Sequence, residues 1–198
     1  MKKHKNDRGY SLVEMIIVIA IIAIVATLAI VSITLIHSAR AKEAAVTVDE
    51  EIATLITKSK NMKCEKGSDW QYAARIYYHV DDQKYYFQKG YYNTSTKQYD
   101  FTTGDTESDG KGKSLTGYVD VKFNGTREIL SDDLKTTGSQ VIAANNAMEI
   151  KSVVWGVPIR FNKDGSCATG YGNYSFLKKN GNEVANDYIR QNGSHQSR

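Results

Sequence analysis

The chain has one proline, Pro158, and two cysteines, Cys64 and Cys167, in 198 residues. Two cysteines are too few for a disulfide framework, and they lack the C-x-x-C spacing of a zinc or redox site. A single Cys64–Cys167 disulfide stays open either way, because an exterior location permits oxidation. Charge is missing from one long stretch: no Asp, Glu, Lys or Arg stands between Glu14 and Arg40. Nineteen of the 22 residues from Met15 to Ile36 are apolar, the exceptions being Thr27, Ser32 and Thr34. Roughly 20 apolar residues span a bilayer core, and no second window approaches that length. A polytopic membrane protein is thereby excluded. The mean hydropathy of −0.45 leaves the remainder polar, enough for one modest domain.

A surplus of one charge sign is also largely absent. The net charge is +4, but Lys2, Lys3, Lys5 and Arg8 against Asp7 place +3 of it in the first nine residues. By the positive-inside rule this end stays cytoplasmic and the domain after the apolar run faces outward. The rest is nearly neutral, which argues little for nucleic acid. Lys178, Lys179, Arg190 and Arg198 offer only a small basic edge among acidic residues.

Catalytic grammar is lacking too. His4, His37, His79 and His195 are scattered without metal-ligand spacing, and no serine or cysteine motif has an assignable base. No enzyme activity and no cofactor are expected. Asp105, Glu107, Asp109 and Gly110 imitate the start of a calcium loop, yet Thr116 stands where the bidentate glutamate belongs. A solvated acidic turn is the preferred reading, with calcium a weak candidate and no other metal expected. Tyrosine, by contrast, is abundant: thirteen residues, including Tyr77-Tyr78, Tyr85-Tyr86 and Tyr91-Tyr92. Such pairs could stack sugars or single-stranded nucleic acid. Tyrosine is also an ordinary strand residue, and adjacent pairs then put one ring on each face.

Three readings compete for the N-terminus. A secretory signal has an h-region of about 7 to 15 residues, shorter than this run. A plain anchor fits length and charge but explains Glu14 only as an interfacial residue. The third reading takes in the order of residues: a basic segment, then Gly9-Tyr10-Ser11-Leu12-Val13-Glu14, then the apolar helix. This resembles the class III leader of the type IV pilin and type II secretion pseudopilin superfamily. The resemblance covers 25 to 30 residues. It implies cleavage after Gly9 by a prepilin peptidase, methylation of the new amine on Tyr10, and an assembly role for Glu14 at the fifth mature position. In that family the glutamate pairs with the terminal amine of a neighbouring subunit. Leaving one member of a buried ion pair alone costs about 3–5 kcal/mol, so the pair can enforce register. Two departures stand out: Tyr rather than the commoner Phe follows the glycine, and Val31 takes a position where many pilins have proline. An uninterrupted helix and a minor or pseudopilin role follow from the second.

Past the apolar run, Ala41, Ala45, Val48, Ile52, Leu55 and Met62 form an amphipathic stripe, with Ser59 the polar interruption. The stripe predicts a helix laid against its own sheet rather than a coiled coil, for which two alanines make a weak seam. No proline or glycine occurs between Tyr10 and Lys66, which allows about 50 helical residues, or about 75 Å. From Trp70 onward, tyrosine, valine, threonine and glycine with turn dipeptides predict antiparallel strands. Expected strands cover 71–80, 84–92 and 97–103. A loop follows over 104–114, and then a hairpin over 118–130 that turns at Asn124-Gly125. Residues 139–151 are ambiguous between strand and helix. A C-terminal meander over 153–162, 173–178 and 183–190 closes the chain. The run Ile159-Arg160-Phe161-Asn162-Lys163-Asp164-Gly165 and the late Gly193 are similar to the end of the H-type minor pseudopilins.

The resulting expectation is an α+β protein: leader 1–9, transmembrane and filament-core helix 10–37, amphipathic continuation 38–66, and an extracytoplasmic antiparallel β head 67–198. The resemblance implies a structural, minor subunit of a pilus or pseudopilus. It would be membrane-inserted before assembly and displayed at the cell surface afterwards. Implied partners are the prepilin peptidase, other pilins or pseudopilins through the N-terminal helix, the assembly platform, and membrane lipid. The alternative is an adhesin or a DNA-uptake subunit on the same anchor.

Overall fold

The computed structural model describes residues 11–102, 110–141, 147–179 and 181–198. One helix, α1 (Leu12–Asn61), precedes twelve strands among the described residues. The fold class is α+β, as the sequence predicts. The chain divides into two compact units, Met1–Ile36 and His37–Arg198. The described residues of the first unit, 11–36, hold the apolar part of α1.

The second unit joins the rest of α1 to two antiparallel sheets. The first sheet orders β3 (Gln98–Asp100), β2 (Lys84–Asn93), β1 (Trp70–His79), β8 (Val157–Phe161) and β9 (Cys167–Thr169), with β4 (Lys113–Leu115) also on β2. The second orders β12 (His195–Ser197), β11 (Glu183–Ile189), β10 (Tyr171–Lys178), β5 (Val119–Leu130) and β6 (Thr136–Val141), with β7 (Met148–Glu149) also on β5. A short 3₁₀ turn, Ile150–Ser152, follows β7. It overlaps the end of the stretch 139–151 that the sequence left ambiguous.

Helical periodicity decides which face of α1 is covered. Ala41, Ala44, Ala45, Val48, Ile52 and Leu55 are buried and share one core with Ile76, Phe87, Phe123, Ile159, Phe176 and Ile189 from both sheets. The helix thus packs on its own sheets, as the weak coiled-coil seam suggests. Burial of a side chain such as Ile52 or Leu55 contributes about 1.5–3 kcal/mol, and the alanines let backbone and sheet approach closely. Two expectations are corrected. The helix ends at Asn61, short of residue 66, and Met62 is exposed instead of extending the stripe. Ser59 is buried, and its hydroxyl bonds back to the Leu55 carbonyl at 2.8 Å, so the polar interruption is satisfied within the helix.

Residues 118–130 do not make a hairpin. Val119–Leu130 form the single strand β5, in whose interior Asn124-Gly125 stays paired with β10, Gly125 opposite Gly172. A Cβ on Gly125 would lie 2.7 Å from the Gly172 Cα and 2.9 Å from the Phe123 ring. The glycine permits close approach of two backbones rather than a turn.

The tyrosine pairs divide between faces, as alternation requires. Tyr78 packs edge-on against Tyr85 at 5.0 Å, while Tyr77 stacks on Tyr86 at 5.8 Å. Tyr91 joins the main core, and Tyr92 joins a second cluster with Ala73, Tyr99 and Phe101. The same outer face holds two cations, Arg75 buried and Arg160 part-buried. Arg75 donates to Gln88 at 2.7 Å, and its guanidinium lies 4.3 Å over Tyr77 and 4.6 Å over Phe101. Burial pushes it down to about 10, which leaves it protonated at neutral pH. Arg160 on β8 pairs with the buried Glu128 of β5 at 2.6 Å, and Tyr99 donates to the same carboxylate. The ion pair joins the two sheets.

Candidate functional site

The apolar unit is built for lipid or for like helices. Every large hydrophobic side chain from Leu12 to Ile36 is exposed, and the most apolar 18-residue window has a mean hydropathy of 3.2 with none of it buried. In a bilayer each polar group must find a partner inside its own helix. Thr27 donates to the Ile24 carbonyl at 2.8 Å, Ser32 to Leu28 at 2.9 Å and Thr34 to Ile30 at 3.1 Å. The three polar interruptions therefore cost the segment little.

Glu14 has a local role that the spacing argument did not reveal. Its backbone N–H donates to the Ser11 hydroxyl at 3.2 Å, and its carboxylate accepts the Ser11 N–H at 2.9 Å. This reciprocal pair is a capping box, which satisfies two of the orphan donors at the helix start. The signal was present as Ser11-Leu12-Val13-Glu14, the S-x-x-E pattern before an apolar run. A negative charge also suits the positive end of the helix dipole. Gly9 and Tyr10, with Lys2, Lys3, Lys5 and Arg8, lie outside the described residues.

Residues 4–35 match the family model described as the prokaryotic N-terminal methylation motif. The chain carries the hallmark of the type IV pilin and pseudopilin superfamily. The motif implies processing by a prepilin peptidase and assembly with other pilins, and its bearers are structural subunits. Together with the apolar helix, the motif points to membrane anchoring. No curated protein and no solved structure gives a significant match.

Other candidates in the pilin-like chain fall as follows. Cys64 and Cys167 are both free, so the structure contains no disulfide between them. Cys167 is buried on β9 with its thiol bonded to the Thr169 carbonyl at 2.9 Å. Burial pushes that thiol up to about 12. Asp105, Glu107 and Asp109 lie outside the described residues. Of the basic edge, Lys179 lies 5.7 Å over the Tyr118 ring and Arg190 5.6 Å over Tyr188, while the Arg198 backbone pairs with Asn186. The H-type-like run forms β8 and its turn. Gly165 and Gly193, both at φ +81°, meet there backbone to backbone. A cavity of about 620 Å³ adjoins the end of α1, lined by Met62, Trp70, Tyr72 and Phe161 together with Lys60 and Lys163.

The second unit also assembles a group that the sequence spacing concealed. Asp49 of α1, Asp187 of β11 and His195 of β12 bring their ligand atoms within 4.8 Å of one another. His195 Nδ1 lies 2.5 Å from Asp49 Oδ1. Asp187 is fully buried, and neither of its carboxylate oxygens accepts a hydrogen bond from the protein. Burial, and then the Asp49 charge, push its carboxyl up to about 7, against a smaller opposing pull from His195. Separations of 138 residues and of eight residues along the chain hide this group from motif reading.

Proposed function

We propose that the chain is a minor structural subunit of a type IV pilus or type II secretion-like pseudopilus. The observation that carries the reading is the methylation motif over residues 4–35 running directly into a helix exposed on every side. In this reading residues 1–9 are a leader. Gly9 is the residue after which the peptidase cuts, and Tyr10 becomes the methylated N-terminus. The basic residues Lys2, Lys3, Lys5 and Arg8 hold the leader in the cytoplasm. Residues 10–37 form a single membrane span before assembly and filament core afterwards, 38–66 brace the head, and 67–198 are displayed outside the membrane and then at the cell surface. The continuous α1, with Val31 where many pilins carry proline, supports a minor or pseudopilin subunit. The head performs no catalysis.

Glu14 serves twice on this account. Within the subunit it caps α1, and on assembly it meets the cationic Tyr10 amine of a neighbour. The capping box lowers the cost of holding the carboxylate at the membrane edge until that partner arrives, because Ser11 already supplies it with a donor.

Mass spectrometry of the mature N-terminus tests the proposal. Loss of nine residues with a methylated Tyr10 is expected. A mature chain that starts at Met1, or at Lys42 after a secretory-signal cut at Ala39-Arg40-Ala41, rejects it. Replacing Gly9 with a bulky residue should block the cut.

A further inference from the structure

The group formed by Asp49, Asp187 and His195 has no part in the assembly reading. All three residues belong to the second compact unit. They come from three elements that meet at one edge of the second sheet. His195 stands opposite Ile189 in the β11–β12 ladder and Asp187 stands opposite Ser197, so both side chains leave the sheet on the face that α1 covers. Asp49 sits on that stretch of α1, next to the buried Val48.

Asp187 makes the group more than a cluster of acids. A fully buried carboxylate is ordinarily hydrogen-bonded, ion-paired or bound to a metal, because an unpartnered one carries its full desolvation cost. Asp187 is fully buried beside Ala185 and Ile189, accepts no protein hydrogen bond, and points at the His195–Asp49 pair. We propose that Asp49, Asp187 and His195 bind one divalent transition-metal ion of the zinc class, which fastens the C-terminal strand to α1.

The donor set selects the ion. Calcium and magnesium take oxygen ligands, six to eight for calcium and six for magnesium, whereas an imidazole nitrogen with two carboxylates suits zinc and its neighbours. Two carboxylates, one of them fully buried, also neutralise a divalent charge. Zinc with ligands at about 2.0–2.1 Å in tetrahedral geometry holds neighbouring ligand atoms about 3.3 Å apart. The 4.8 Å envelope encloses that spacing, and the 2.5 Å His195–Asp49 contact opens by less than about 1 Å as the metal replaces the shared hydrogen. The Asp49 and His195 side chains are 30% and 22% exposed, which gives the ion a way in, and three protein ligands leave a fourth position for water. The benefit falls on β12. This strand is only three residues long and lies at the sheet edge and the chain end. Metal binding that spans α1, β11 and β12 adds directly to the stability of that edge.

The test uses the full chain in detergent micelles, stripped of metal with a chelator. Zn²⁺ is titrated in competition with a chromophoric chelator, and bound metal is counted by elemental analysis. One zinc per chain with Kd below about 1 μM is expected. Asp187→Asn and His195→Gln should each weaken it by more than about 100-fold, whereas His79→Gln should not. His195 is part-exposed, so its variant decides the matter even if Asp187→Asn fails to fold. Zn²⁺ should also slow amide exchange at residues 195–198. Absence of stoichiometric zinc overturns the proposal. So does a zinc retained by the His195 variant, or binding of Ca²⁺ in preference to Zn²⁺.

Discussion

At the scale of single residues, Glu14 shows how one carboxylate can carry two roles that variants separate. Ser11→Ala removes the hydroxyl of the capping box and costs the helix start about 1 kcal/mol, but leaves the carboxylate in place. Glu14→Ala removes the carboxylate, and with it the bond to the Ser11 N–H, while the backbone N–H of residue 14 keeps the Ser11 hydroxyl. If the carboxylate docks subunits, Glu14→Ala should be processed normally yet be lost from filaments, while Ser11→Ala still enters them. Equal loss in a pull-down of assembled filaments would instead make capping the whole of its role. Glu128 poses the complementary case inside the head. It holds Arg160 at 2.6 Å and accepts from Tyr99. Glu128→Ala should destabilise the head, by up to about 3 kcal/mol, because it strands a part-buried guanidinium, and Glu128→Gln should cost less. Urea unfolding of the two variants measures the difference.

At the scale of elements, α1 is tied to the sheets by charge as well as by its apolar stripe. Glu51 receives Lys89 at 3.2 Å and Lys113 at 3.0 Å, both from the first sheet. Burial pushes its carboxyl up, but the hydrogen bonds and charges of the two lysines outweigh this and hold it below its ordinary value of 4.5. A carboxylate depressed in the folded state contributes stability that is fully present above its unfolded value and is lost as pH falls through the folded one. Thermal unfolding across the acid range should therefore show a loss of stability below about pH 4.5 that is smaller in Glu51→Gln. No local pattern in the sequence names the partners of Glu51. Lys89 and Lys113 reach Glu51 only because β2 and β4 are hydrogen-bonded neighbours. The β5 strand makes the same point about turn signals. Asn124-Gly125 carries hairpin chemistry locally, and pairing with Asn173 and Gly172 of β10 overrides it.

At the scale of the whole molecule, the head is a tyrosine-filled core with no covalent staple. Burial pushes Tyr91 up to about 12, and Tyr99 and Tyr174 well above 10.0, with the Glu65 and Glu128 charges adding to the shift for Tyr91 and Tyr99. Groups raised in the folded state contribute stability that is fully present below their unfolded values and is lost as pH rises through the folded ones. The head should therefore unfold in alkali above about pH 10, and tyrosinate absorbance should rise in a cooperative step that coincides with loss of circular dichroism. Both cysteines being free, a reductant should leave the melting temperature unchanged. Native thiol labelling should reach the part-exposed Cys64, and Cys167 only after unfolding.

The sequence by itself determined the apolar helix, the motif around Gly9 and Glu14, the stripe from Ala41 to Leu55 and the antiparallel character of the head. Each of these is written in neighbouring residues, through a helical or strand period or a fixed spacing, and so needs no knowledge of the fold. Tertiary structure alone decided that β5 runs straight through Asn124-Gly125, that Glu51 finds two lysines and Glu128 an arginine, and that Asp49, Asp187 and His195 converge. Those outcomes depend on which strands pair and in what register. Register is set by the summed burial of both sheets against α1, a quantity that no local window of the chain contains.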